Sequence, residues 1–391
     1  MTLNLAKHAF LSSSVLLSLT YSSFALDADK FSENLKAVFA TSGAGIEYSS
    51  IKADGDNILL ENVKMTSAAE TFPIGSLQFN GVTELDDGSI RVEKTVVDDI
   101  NHQEKDIKFT LVDFEIEGLR LPAADAEASP YLIYERATTG QATFTHKGVD
   151  VFKMASSDAH VDMTDDLQAM KFDGSANGIV IDLSAVEDPK AKQAIADMGY
   201  ETLRGDIQIK GDWDAKTGRF NMPEYALTLN DAGRINIALD ISGYTLEFIK
   251  QLQDVQKEMA DQSDPKAQQA AGMASLALLQ QLTLNALSIR FDDASITEKA
   301  LKYAGSKQGM SQEQMAEAAK ALLPFGLARL GMPELQQQIT AAASAFLDNP
   351  QNIEIKATPP APVPFGQIMG AAMADPRTIP ATIGVEVVAN Q

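Results

Sequence analysis

Cysteine is absent from all 391 residues. Disulfides, thiolate metal sites and cysteine nucleophiles are therefore excluded. Histidine is scarce, with four in the chain, so imidazole chemistry has few places to start. Cations are outnumbered: 32 Lys and Arg against 54 Asp and Glu give a formal charge of −22. Such a surface repels phosphate backbones and anionic headgroups, so nucleic acid is not an expected partner. No Gly-x-Ser-x-Gly, dinucleotide-binding or Walker motif is present. What remains is 45% hydrophobic and 22% charged. That is the balance of a globular chain, long enough for one large or two ordinary domains.

Residues 1–25, MTLNLAKHAFLSSSVLLSLTYSSFA, differ from the rest. Lys7 is followed by an uncharged, mostly apolar stretch and a small-x-small ending at Ser23, Phe24 and Ala25. This is the pattern of a secretory signal, with cleavage expected after Ala25. The alternative is an N-terminal anchor that stays attached, for which the apolar core is short and rich in serine. No cysteine stands at the cleavage point, so a lipid anchor there is excluded. The expected location is the periplasm, with a mature chain beginning near Leu26.

Residues 27–41 have Phe31, Leu35, Val38 and Phe39 at helical spacing, and Ser42-Gly43 is expected to end that helix. From Ile46 to about Tyr244 the pattern is mostly period two, broken by turn pairs such as Asp54-Gly55, Lys147-Gly148 and Thr217-Gly218. An antiparallel meander with one wet face is expected. Three strands share a loose phrase, apolar-x-apolar-x-(Gly/Asn/Asp)-apolar-x-apolar: ILLENVKM, LQFNGVTE and FEIEGLRL. One helix interrupts the meander, with Asp188 as N-cap, Pro189 at its first position and Gly199 beyond its end.

After Gly243 helices dominate. Thr245 caps a helix with the stripe Phe248, Leu252, Val255 and Met259. Asp264-Pro265 starts a second, whose face reads Met273, Leu276, Leu279 and Leu282. Ser311 with Gln314 makes a capping box for a third. Strands are expected over 284–291, from Asn352 and at the C-terminus. The organisation read from this is a signal over 1–25, a helix and meander over 26–243, and a helix-rich segment with closing strands over 244–391, packed on the same sheet. The fold class is α+β: a long curved antiparallel β-meander packed against C-terminal α-helices.

Several acidic groups invite a chemical reading. Asp292-Asp293 stand where a strand gives way to a helix; a hinge capped by Ser295 or Thr297 accounts for them as well as a metal or acid/base site would. Asp158, His160 and Asp162 share one strand face, but side chains two apart on a strand run parallel. Ala159, Val161 and Met163 take the other face, so the comb points to solvent. His102 and His146 are expected in loops or turns. DWDAKTG, 212–218, resembles a calcium loop, yet Gly218 falls one place late and no Glu follows. A hairpin turn anchored by Trp213 is the simpler reading. Asp98-Asp99 and Asp165-Asp166 read as solvated turns. No catalytic residue, metal or cofactor is nominated. Methionine-rich helices suit variable apolar ligands, so Met273, Leu276 and Leu279, with Met315, Leu322, Leu323 and Phe325, are the candidate ligand-lining set against the sheet.

The segments NDAGRINIALDISGY, SIRFDDASITEKAL and IEIKATPPAPVPFGQI, together with the signal and the strand phrase, resemble an uncharacterised family of periplasmic proteins from Gram-negative bacteria. More distantly, the strand phrase is similar to AsmA-like envelope proteins. That resemblance implies a long sheet with an apolar interior and a role in lipid handling; it implies no catalytic residue. The expected function is non-enzymatic: binding an apolar ligand, a lipid first of all, or supporting cell-envelope assembly. The alternative is an envelope interaction module whose partner is another protein, recognised through a sheet edge or an acidic face. A third reading is a hydrolase with acids not recognised by motif.

Overall fold

The structure is a computed structural model and describes residues 27–41, 44–67, 70–124, 133–164, 166, 168–260 and 265–391. The signal reading, the Ser42-Gly43 helix stop and Asp264 lie outside the described residues. Helix α1 (Ala28–Thr41) precedes β1 (Gly45–Glu47), β2 (Ser50–Asp54), β3 (Asn57–Ser67), β4 (Glu70–Glu84), β5 (Ile90–Val97), β6 (Ile100–Glu104), β7 (Ile107–Leu111) and β8 (Phe114–Leu121). Then come β9 (Arg136–Thr139), β10 (Ala142–His146), β11 (Val149–Met154), β12 (Ser156–Met163) and β13 (Ala169–Asp182). Helix α2 (Pro189–Met198) is followed by β14 (Thr202–Asp214), β15 (Arg219–Leu229) and β16 (Gly233–Ser242). The helix pair α3 (Leu246–Ala260) and α4 (Pro265–Leu279) leads to β17 (Thr283–Asp293). Helices α5 (Ile296–Gln308), α6 (Gln312–Leu327) and α7 (Pro333–Asp348) precede β18 (Asn352–Ala357) and the two-residue β19 (Val363–Pro364). Helices α8 (Phe365–Ala374) and α9 (Ile379–Thr382) and strand β20 (Val385–Ala389) complete the chain.

The fold is α+β. Every strand pairing in it is antiparallel, and successive strands join one sheet that ends β16–β17–β18–β20. Between β5 and β13 the strands are broken in two near the middle, so 149–163 is two strands separated at Ala155, not one. The breaks align into a crease. Asp98 accepts the Ser76 amide (2.8 Å) and Asp99 the Asp113 amide (3.3 Å), so these acids hold the crease. Asp113, at φ 52°, and Gly140 lie beside one another there.

The repeated strand phrase has a conformational meaning. Its fifth residue is Asn62, Gly81 or Gly118, and these sit at φ 54°, 66° and 64°. A left-handed residue resets the alternation, so apolar side chains on both sides of it face inward. Ile58 and Leu60 are buried before Asn62, and Val63 after it. Leu77 and Phe79 precede Gly81, and Val82 follows. This inner face receives α1, whose Phe31 and Leu35 are buried against it. Asn34 is buried beside them. Its amide donates to the Gly88 carbonyl (3.1 Å) and accepts the Ala124 amide (3.0 Å), tying two loops over the helix.

Helix caps follow the sequence. The Asp188 carboxylate accepts the Ala191 amide (2.7 Å) and Gly199 adopts the left-handed conformation. The Ser311–Gln314 capping box is formed, and the Thr245 hydroxyl accepts the Phe248 amide (3.2 Å). Helices α3 and α4 close a second core over Leu239, Ile241, Leu284, Leu287 and Ala357. Helix α7 lies along β20, where the Gln338 side chain accepts the Val387 amide (3.4 Å). An otherwise open sheet edge is thereby covered. Among the described residues, no helix is long and apolar enough to cross a membrane.

Candidate functional site

Residue pairing fixes which side chains share the inner face. Ile237, Ile289, Ile355 and Val387 stand opposite one another across β16, β17, β18 and β20. The neighbouring row is Ile207, Leu227, Ile235, Phe291, Ile353 and Ala389. Two residues further along, Leu239, Leu287 and Ala357 lie under α3 and α4. At the opposite end Phe291 packs edge-on against Phe346 of α7, ring centres 6.2 Å apart. The stretch between is not covered. Ile235, Ile289, Ile355 and Tyr225 remain 41–50% exposed.

Leu287 and Phe291 are about 13 Å apart along an extended strand, and β15 to β18 spans roughly 14 Å across the sheet. The strip is wide enough for one or two hydrocarbon chains. Beyond Tyr225 its floor continues through Ile209, Gly174, Ala159 and Ala137 in register. The last three are small, which keeps the floor low. No donor, acceptor or charge is contributed by the row Ile237–Ile289–Ile355.

The opposite face explains why this one is apolar. Alternate residues there form a charged lattice. Arg234 bonds Glu224 (2.7 Å), Arg290 reaches Asp292 (2.8 Å) and Glu354 (3.6 Å), and Lys356 lies 3.4 Å from Glu354. The Asp292 carboxylate beside it, with Glu354, holds the Arg290 guanidinium firmly protonated. Further along, burial pushes the Asp240 carboxyl up, but hydrogen bonds from Arg219 and Asn285 outweigh it and hold it below its ordinary value. These groups stay wet or paired, as charges at a sheet surface must, and the period-two pattern sends their neighbours inward.

The helical residues expected to line a cleft are placed differently. Met273, Leu276 and Leu279 are exposed on the outer side of α4, and Leu322 and Phe325 on α6; Met315 and Leu323 are half-buried. The exposed ones point to solvent. Helix α4 buries Ala271 and Leu278 instead. Met273, two residues beyond Ala271, is turned about 200° from it. The helix is apolar on all sides, so its composition did not say which side packs. The residues that are both apolar and bare on the sheet, Ile235, Ile289 and Ile355, were not singled out from the sequence. Their inward direction was readable from alternation; the lack of a helix over them was not.

Asp292-Asp293 join two elements. Asp292 belongs to the charged lattice. The Asp293 carboxylate accepts the amides of Ser295 (3.0 Å) and Thr297 (2.9 Å), so Asp293 caps α5 and not Ser295 or Thr297. Ser295 sits at φ 142° and its hydroxyl is taken by the Asp231 carbonyl and Tyr200. Asp293→Ala is expected to cost about 1 kcal/mol, read as a lower urea midpoint at unchanged slope; no shift would mean the cap contributes nothing.

The other candidates are structural. Asp158 makes a two-pronged pair with Arg136 (2.6 and 3.0 Å), and His160 lies 3.5 Å from Asp173. Asp158 and His160 are thus paired with neighbours at the wet face. His102 and His146 lie on β6 and β10, not in loops, because the hairpins there extend further than the turn residues suggested. In DWDAKTG, Asp214 accepts the Thr217 amide (2.9 Å) and Asp212 accepts from Asn221 (2.9 Å), closing a hairpin. Lys216, with Thr164 and the Gln168 amide, lowers Asp166 to about 2; Asp165 lies outside the described residues. Among the described residues no group of three or more His, Cys, Asp or Glu is placed to hold a metal ion.

A family model described only as an uncharacterised protein matches residues 226–390. The match begins within β15 and takes in β16, β17, β18 and β20, which carry most of the bare strip, together with the helices at its ends. No curated protein matches the chain.

Proposed function

We propose that the chain is a non-enzymatic periplasmic protein that holds an apolar ligand, a lipid acyl chain, on the inner face of its sheet. The observation that carries the reading is the uncovered patch of Ile235, Ile289 and Ile355 with Tyr225, which spans two adjacent rows and is bounded by α3–α4 at one end and α7 at the other. Large apolar side chains left side by side in water are an unsatisfied surface. Fully covering each is worth roughly 1.5–3 kcal/mol, and half-covered ones proportionately less. A hydrocarbon chain supplies that cover without needing a polar partner, and the row Ile237–Ile289–Ile355 has none to offer. The resemblance to AsmA-like envelope proteins points the same way, as does the N-terminal signal pattern.

Native mass spectrometry of the gently purified protein tests this. The wild type is expected to carry a non-covalent species of acyl-lipid mass and to displace a fluorescent fatty acid. Ile289→Glu with Ile355→Glu is expected to weaken that binding about tenfold or more. Ile107→Glu, at an exposed isoleucine on β7, leaves it unchanged. A wild type that binds no lipid, or one indifferent to the strip variants, removes the reading. Co-purification of a defined protein on the strip would replace it with the interaction-module alternative.

A further inference from the structure

We propose that the outward side of α4, α6 and α8 seats the protein on the surface of a lipid bilayer with neutral headgroups. The proposal deepens the preceding reading, which it needs for the cargo and not for the docking. Its basis is the distribution of charge. The chain carries 54 acidic residues, yet three stretches hold none: 267–289, which has no ionisable side chain at all, 318–333, with Lys320 and Arg329 only, and 357–374, again with none. Within these stretches lie the most exposed large apolar side chains among the described residues, Phe325 at 77% and Met373 at 88%, together with Met273, Leu276 and Leu322.

The three stretches are neighbours in space. Gly366, in the first turn of α8, packs against the stem of Gln280 at the end of α4. Gly331, after α6, lies beside the Arg377 side chain that follows α8. Their inner sides are already used: Ala271 and Leu278 of α4, and Phe365 and Ile368 of α8, pack into the core beside the strip. The outer sides have no such cover.

A surface that is apolar outward and, over these three stretches, without acid, in a protein of charge −22, suits a partner that is apolar inside and carries no net charge. A neutral bilayer is that partner: it accepts Leu, Phe and Met at the boundary of headgroup and acyl region. An anionic bilayer would be repelled by the rest of the chain. Docked this way, α3–α4 and one end of the strip lie next to the acyl region, which gives a hydrocarbon chain a short path onto the sheet.

Flotation of the full chain with phosphatidylcholine vesicles tests the proposal. The wild type is expected to float with the vesicles. Leu322→Glu with Phe325→Glu is expected to reduce the bound fraction about tenfold, and Met373→Glu, on a different helix, to reduce it independently. Circular dichroism should be unchanged in each, because these side chains are on the outside. The strip variants Ile289→Glu and Ile355→Glu should float normally. A folded wild type that does not float overturns the docking while leaving the cargo reading intact if fatty acid still binds. Flotation without any acyl binding does the reverse. A dimer in the absence of lipid that Phe325→Glu splits would assign this face to a second copy and overturn the proposal.

Discussion

Trp213→Ala is expected to lower the unfolding free energy by about 3–5 kcal/mol. Trp213 is the only tryptophan and is 2% exposed. It stands opposite Phe220 on β15 and its ring meets Tyr244 edge-on at 6.5 Å. Tyr244 in turn touches Phe220 (5.8 Å) and Phe248 (5.4 Å), and Phe220 stacks on Phe172 (5.9 Å). This aromatic chain fastens the start of α3 to the sheet. The Trp213 indole also donates to the Tyr244 carbonyl at 2.6 Å. Removing the ring therefore opens a cavity and leaves a carbonyl without its donor, and both costs fall on one site. Trp213→Phe keeps most of the volume and loses the donor, so about 1–3 kcal/mol is expected. Urea titrations followed by far-ultraviolet circular dichroism would measure both, with unchanged slope as the sign of an intact unfolding transition. If the two variants cost the same, burial is not what Trp213 contributes, and its hydrogen bond alone holds the junction.

Trp213 as the anchor of a hairpin turn was readable in advance; its contacts with the start of α3 were not, and the difference is physical. The change of phase at Asn62, Gly81 and Gly118 was not legible either, because it rests on a left-handed backbone. Alternation is a one-dimensional signal, so the strands and the shared face of Leu287, Ile289 and Phe291 were legible without a structure. Caps with strong side-chain chemistry, Asp188, Thr245 and Ser311, were legible for the same reason. At α5 the sequence offered Ser295 and Thr297, but Asp293 reaches the free amides first, and reach is a matter of backbone path. For α4, apolar on every side, no pattern distinguishes Ala271 and Leu278 from Met273 and Leu276. The bare strip is a fact about coverage. It depends on where α3–α4 and α7 stop over the sheet, which no local pattern encodes. The candidate apolar surface was accordingly looked for on the helices, whereas the bare residues on the inner face of the sheet belong to the strands.

Gly81→Val is expected to cost about 3 kcal/mol, while Gly81→Asn costs about 1 kcal/mol or less. Both add a Cβ that meets the Glu93 side chain. Glu93 is flexible and can swing aside, so that contact does not separate them. The backbone does. Gly81 lies at φ 66°, which a β-branched residue adopts only under strain and asparagine tolerates. Asn62 already holds the equivalent place in β3 at φ 54°. If valine instead forces the residue into an ordinary extended conformation, the strand regains strict alternation. Val82 must then turn outward or the pairing of β4 with β5, now Val82 with Val92 and Phe79 with Thr95, must slip. Either outcome exposes a side chain buried under α1. Equal losses for valine and asparagine would show that crowding by Glu93, not the left-handed backbone, sets the cost, and the repeated phrase would then carry no conformational requirement at its fifth position.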